Sequence, residues 1–230
     1  GIGPIHSEKR KEQLQKMMQY VSGVALRDKE SFMFFHESNL NLPIYQSSDL
    51  SFINEDSSKG MASKSGSIAI SIRPYALDQA SQDALRQFIN SINKPINCLD
   101  FQPPLDLNAY NSLLNTSEST DVYNMIRHFV IGDPFPEPLS VLIGMRYHAC
   151  IWASLNGVPF IALAYDEKVT QLANALGQPV IDLSQPLTVA SLQSAWKDVL
   201  ANYDSYKETL SKGVKQLQDL SEINKKVLMI

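Results

Sequence analysis

Four apolar runs in this sequence end in a cation. Arg27 follows "GVAL", Arg73 closes "SIAISI", Arg146 and His148 follow "SVLIGM", and Lys168 lies just past "PFIALAY". Arginine grips phosphate and carboxylate through paired hydrogen bonds from a planar guanidinium. If the runs are parallel strands, their carboxyl ends share one edge, where helix N-termini add partial positive charge and free N–H groups. The implied chemistry is a pocket for a small ligand bearing several negative charges, phosphate and carboxylate among them. Taken singly, an arginine after a strand is more often a solvated rim charge or an ion-pair partner. The repetition over four strand ends is what points to a site. His148, in the first turn of an expected helix, suits proton transfer, although a histidine there is more often a surface or capping residue. Lys168 sits in a first helical turn against the helix dipole, so ligand binding gives it a reason that helix stability does not.

Alternating patterns supply the elements that would position these groups. Residues 7–21, 29–39, 78–92 and 108–115 read as helices, as do "RYHACIWASLNG" and "EKVTQLANALG", which run into Gly157 and Gly177. Residues 67–74, 95–101, 140–145, 159–165 and 179–183 read as buried strands, and 122–126 is ambiguous. Beyond Pro186 the pattern is helical to the end. Residues 55–67, rich in Ser, Gly and Lys, read as a linker. The expected fold class is α/β, a doubly wound, Rossmann-like parallel sheet covered on both faces. The expected division is residues 1–63 as the end of an amino-terminal Rossmann-like domain plus linker, 64–205 as a carboxyl-terminal Rossmann-like domain, and 206–230 as a helical tail.

The 230 residues are 44% hydrophobic and 19% charged, with a net charge of −4. That balance suits a globular chain and argues against binding nucleic acid through a basic surface. No apolar run approaches the roughly 20 residues of a membrane span. Two cysteines, Cys98 and Cys150, make no disulfide framework, and a reducing cytoplasm is the expected location. Cys150 lies in a helical pattern as a buried, inert thiol. His6, His36, His128 and His148 show no metal-ligand spacing, so no metal is expected. There is no Walker loop, no G-x-G-x-x-G and no G-x-S-x-G.

"IGMRYHACIWASLNGVPFIALAYDEKV" closely resembles the signature of the polysaccharide pyruvyl transferase family: "GMR-x-H-A", then "GVP", then "YD-x-K-V". "GIGPI", "GVALRDKES", "SSDLSF" and "ISIRP" resemble other family segments in the same order. The likeness runs from residue 1 to about 185 and is weaker between 75 and 135. The chain departs from the pattern at Tyr147, where the family usually has an aliphatic residue, and in the lead-in "FVIGDPFPEPLS". The resemblance implies a two-domain fold like that of the GT-B glycosyltransferases, of which this chain would be the carboxyl-terminal part. It also implies transfer of pyruvate from phosphoenolpyruvate, without a cofactor, to a sugar or lipid-linked glycan as a cyclic ketal. Peripheral placement at the inner membrane face would suit such an acceptor. On that reading Arg73, Arg146 and Lys168 hold the donor's anionic groups, with Arg146 and Lys168 also acting in catalysis. His148 serves as general acid, and Arg27 reaches the cleft from the other domain. The alternatives are a nucleotide-sugar glycosyltransferase on the same fold and a non-catalytic anion-binding module.

Overall fold

The computed structural model describes residues 7–38, 41–53, 61–73, 77–92, 94–102, 105–113, 126–130 and 138–227, with 126–130 and positions 109 and 112 as backbone alone. The "GIGPI" opening, residues 55–60 of the expected linker, Pro74, residues 122–125 and most of the "GDPFPEP" lead-in lie outside that set. Two compact units emerge: residues 1–55 with 214–230, and residues 56–213.

The smaller unit begins with α1 (Glu8–Met18), β1 (Val24–Leu26), α2 (Lys29–Glu37) and β2 (Ile44–Gln46). β1 and β2 pair in parallel. Asp28 caps α2 by accepting the Ser31 N–H at 2.8 Å.

The larger unit is built on one parallel sheet. Its strands are β3 (Ala62–Ser71), β4 (Ile96–Asp100), β5 (Ile126–Val130), β6 (Leu139–Gly144), β7 (Phe160–Ala164) and β8 (Val180–Asp182), ordered β5-β4-β3-β6-β7-β8. This is the doubly wound order: the chain steps outward from β3 through β4 to β5, then returns to the other side of β3 for β6, β7 and β8. Every residue of β4, β6 and β7 is buried. Strands buried on both faces have no polar-out alternation, which is why they read as continuous apolar runs. Two expectations need correction. Residues 62–67, read as the end of a linker, are already strand, and β5 was not read as a strand at all. β3 shifts register against β6 between Ala62 and Ile68.

The helices of this unit are α3 (Gln79–Ser91), α4 (Leu105–Leu113), α5 (Tyr147–Leu155), α6 (Glu167–Ala175) and α7 (Val189–Ala201). Asp78 caps α3 through the Ser81 N–H, and Thr188 with Ser191 forms a reciprocal capping box on α7. Gly157 and Gly177, with φ of 69° and 61°, terminate α5 and α6 in the left-handed region. At Gly177 a Cβ would also lie 2.2 Å from Thr209 Cγ2. α8 (Tyr203–Ser221) starts in the larger unit, where Tyr203 donates from its hydroxyl to Ser140 O at 3.0 Å. Its last turns, with α9 (Ile223–Val227), belong to the smaller unit. There Ser48 and Ser47 donate to the carbonyls of Leu217 and Leu220. None of the described helices is long and apolar enough to cross a membrane.

α3 packs on α7, with the rings of Phe88 and Trp196 edge to face at 6.3 Å. Phe88 is 1% exposed. Phe88→Ala should lower unfolding free energy by about 3–5 kcal/mol in urea titration; a loss below about 1 kcal/mol would show that this layer repacks freely.

Candidate functional site

The change of winding direction falls between β3 and β6, and doubly wound sheets take ligands beyond the strand ends at that point. Arg73 follows β3 and Arg146 follows β6, so the two arginines flank it. The Met145 N–H donates to Ser71 O at 2.7 Å, carrying the β3–β6 ladder up to the residue before Arg146. Arg146 then turns out of the strand at φ −80°, ψ 127°, and its carbonyl accepts the N–H groups of Ala149 and Cys150 to start α5. Gly144 permits this tight turn, because a Cβ there would meet Cys150 Sγ at 2.9 Å. Cys150 is buried and its thiol is pushed up to about 12 by that burial. It is buried, as expected, and fills space against Gly144.

The Arg146 side chain is 10% exposed. Its Nη2 donates to Asp106 Oδ1 and its Nη1 to Gln102 Oε1, the latter at 3.1 Å. Asp106 is fully buried, and its other oxygen accepts the N–H groups of Phe101 and Gln102 at 2.8 and 2.9 Å. The carboxylate thus ties the turn after β4 to the guanidinium after β6. Arg146 Nε is buried without a partner among the described residues. Neither Asp106 nor Gln102 was singled out from the sequence, where they lie some forty positions from Arg146 and belong to no motif.

Arg73 reaches across the end of β6 to the residue that follows β7. Its Nη1 donates to the Tyr165 hydroxyl at 2.5 Å, and its guanidinium carbon lies 5.3 Å from that ring's centre. The next residue, Asp166, caps α6 by accepting the Lys168 N–H at 3.0 Å and pairs with Lys168 Nζ, also at 3.0 Å. Partial burial by itself pushes the Asp166 carboxyl up. The Lys168 hydrogen bonds and the charges of Lys168 and Arg73 outweigh it and hold the carboxyl below the ordinary aspartate value. Lys168 therefore has a structural partner in its own first turn, which the argument from the helix dipole did not foresee.

Arg73, Tyr165, Asp166 and Lys168 form one interacting group, with Arg146 at the neighbouring strand end on separate partners. His148 is exposed in the first turn of α5, its ring edge-on to Tyr147 at 5.4 Å. Arg27 belongs to the smaller unit, where it pairs with Asp49, the cap of a short 3-10 turn at Leu50–Phe52. Beside Tyr165 an open cavity of about 610 Å³ lies at the ends of β7 and β8, lined by Asp166, Glu167, Thr170, Asp182 and Ser184 among others. The described residues hold no cluster of three or more potential metal ligands.

Residues 138–167 match the family model described as polysaccharide pyruvyl transferase. The matched stretch spans β6, Arg146, His148, α5, β7 and Asp166, and bears out over that length the resemblance read from the residues. No curated protein sequence matches the chain. Among solved structures, a sucrose-phosphate synthase from Thermosynechococcus elongatus aligns with a TM-score of 0.54 at 13% identity, covering 98% of this chain and 62% of that one. A UDP-glucosyltransferase from Polygonum tinctorium aligns at 0.51 and 12%, covering 87% and 49%. A UDP-N-acetylglucosamine 2-epimerase from Listeria monocytogenes aligns at 0.50 and 12%, covering 83% and 55%. The chain thus spans about half to three fifths of these structures, and at such identities the likeness is one of fold. It is an α/β fold of the GT-B glycosyltransferase kind, as expected from the sequence.

Asp106→Ala leaves the Arg146 guanidinium buried without its counter-ion. It should cost about 3–5 kcal/mol in urea unfolding, and a cost under about 1 kcal/mol would refute the pair's structural role. Asp166, with its pKa lowered in the fold, adds stability above the ordinary aspartate value and loses it as pH falls through the lowered one. Acid titration should therefore destabilise the wild type more than Asp166→Asn below about pH 4; parallel acid limbs would contradict this.

Proposed function

We propose that this protein is a polysaccharide pyruvyl transferase, moving a pyruvyl group from phosphoenolpyruvate to two hydroxyls of a sugar or lipid-linked glycan. The observation that carries the reading is the coincidence of two independent facts. The family signature at 138–167 runs across the ends of β6 and β7, and the sheet changes winding direction beside β6. The donor bears a phosphate and a carboxylate, so it needs fixed cations at that edge. Arg73 and Lys168, already neighbours through Tyr165 and Asp166, take its phosphate, and Arg146 takes its carboxylate.

The chemistry balances as addition followed by displacement. A proton goes to the methylene carbon of the enol, leaving an oxocarbenium-like centre at the adjacent carbon. One sugar hydroxyl attacks that centre and loses its proton. The carbon–oxygen bond to phosphate then breaks, and the second hydroxyl closes the ketal as its proton leaves with the inorganic phosphate. His148 is assigned the proton delivery: its exposure in the first turn of α5 leaves the ring open to a substrate. No cofactor is needed, and two buried free thiols suit a cytoplasmic protein.

A nucleotide-sugar glycosyltransferase is the second reading, favoured by the solved structures that share the fold. Calorimetry separates the two. Phosphoenolpyruvate should bind and Arg146→Ala should abolish the heat; a UDP-sugar binding in its place would overturn the proposal. In a chain competent for turnover, His148→Ala should lower kcat by about 10²–10⁴-fold with donor binding intact. An unchanged kcat would remove His148 from the mechanism.

A further inference from the structure

The cavity at the ends of β7 and β8 carries the opposite charge to the strand ends beside it. Asp166, Glu167 and Asp182 all line it, with the Thr170 and Ser184 hydroxyls and an apolar lining that includes Ala164 and Val180. Arg73 and Lys168 do not line it. Tyr165 is the boundary: it lines the cavity and its hydroxyl accepts from Arg73. Asp166 is already paired with Lys168, and Glu167 and Asp182 add further negative charge, so this side disfavours a phosphate or a carboxylate. The three side chains are good acceptors for hydroxyl donors, and the volume of about 610 Å³ lies in the range of small-ligand sites. The Asp182 carboxylate is already oriented by the Ser184 N–H and hydroxyl, each at 2.8 Å. Hydrogen bonding to Ser184 keeps it ionised, its pKa held below the ordinary aspartate value.

The geometry points to this cavity as the seat of an uncharged, polyhydroxylated ligand: a sugar ring held by Asp166, Asp182 and Thr170 with its reacting hydroxyls toward Tyr165. The assignment rests on the pyruvyl transferase reading for what happens next, and deepens it by placing the acceptor on the same domain edge as the donor's cations. A sugar there adjoins Arg73 across one tyrosine. Charge then sorts the substrates, the anionic donor to the arginine side and the neutral acceptor to the carboxylate side. By the same electrostatics the cavity rejects a nucleotide diphosphate.

The test is saturation-transfer NMR of the wild-type chain with free glucose, galactose, mannose, N-acetylglucosamine and N-acetylmannosamine, and with UMP as an anionic probe. Thr170→Trp fills the cavity and Asp182→Asn removes one carboxylate; circular dichroism melting checks that both fold. The expected result is saturation of at least one monosaccharide, lost in both variants, while calorimetric binding of phosphoenolpyruvate is retained in both. If no monosaccharide is saturated although phosphoenolpyruvate binds, the acceptor assignment falls and the donor reading stands. Saturation that survives in both folded variants overturns it as well. If UMP is saturated and both variants abolish that signal, the cavity is a nucleotide site and both readings fall.

Discussion

Much of the site's geometry depends on one buried ion pair. Removing a guanidinium and a carboxylate from water costs several kcal/mol per ion, which their attraction repays only when the remaining lone pairs and protons are also satisfied. Asp106 meets that condition by accepting from Arg146 and from two consecutive backbone N–H groups at the turn after β4. Tyr110 sits in α4 with Asp106 and fixes the same region from below, its buried hydroxyl donating to Leu99 O at 2.8 Å. Three segments distant in sequence are thereby held in one arrangement beside the β3–β6 boundary, where the winding direction changes. A guanidinium held this way gives up torsional freedom during folding rather than at ligand binding, which is the energetic meaning of preorganisation.

That arrangement also limits what Arg146 can offer. With Nη1 and Nη2 engaged by Gln102 and Asp106, its net charge is largely balanced, and the remaining donor capacity is directional. Arg73 and Lys168 are paired more loosely, through a neutral hydroxyl and a half-exposed aspartate. An entering anion would compete with Asp166 for Lys168 at modest cost, because exposed pairs of this kind are worth at most about 1 kcal/mol. Arg146 is thus suited to fixing a ligand's orientation, whereas Arg73 and Lys168 are suited to taking up charge.

The apolar strands at 67–71, 96–100, 139–144 and 160–164 were legible because burial on both faces writes itself as an unbroken hydrophobic run. The Gly stops at 157 and 177 were legible for the same kind of local reason. β5 was not: "IRHFV" mixes charge with apolar residues and holds its place through pairing with β4, which composition does not encode. Placing Arg73, Arg146, His148 and Lys168 at strand ends needed only the strand boundaries and the direction of the chain. Their partners could not be read that way. Asp106, Gln102 and Tyr165 meet the arginines through the strand order of the sheet, and tertiary contact across 40 or 92 positions leaves no periodic trace.

Asp166 shows how closely stability and chemistry are joined at this edge. The same carboxylate starts α6, neutralises Lys168, lies in the field of Arg73 and lines the cavity beyond Tyr165. A helix cap tolerates Asn or Ser in its place, since each offers an oxygen to the free N–H groups. A counter-ion does not, because neither carries charge. An uncharged cap would keep α6 while leaving Lys168 and Arg73 less balanced, so the edge would hold a multiply charged anion more tightly and let go of it less readily. The carboxylate two residues before Lys168 is thus what any anion at this edge must displace, and what the ammonium returns to when the anion leaves.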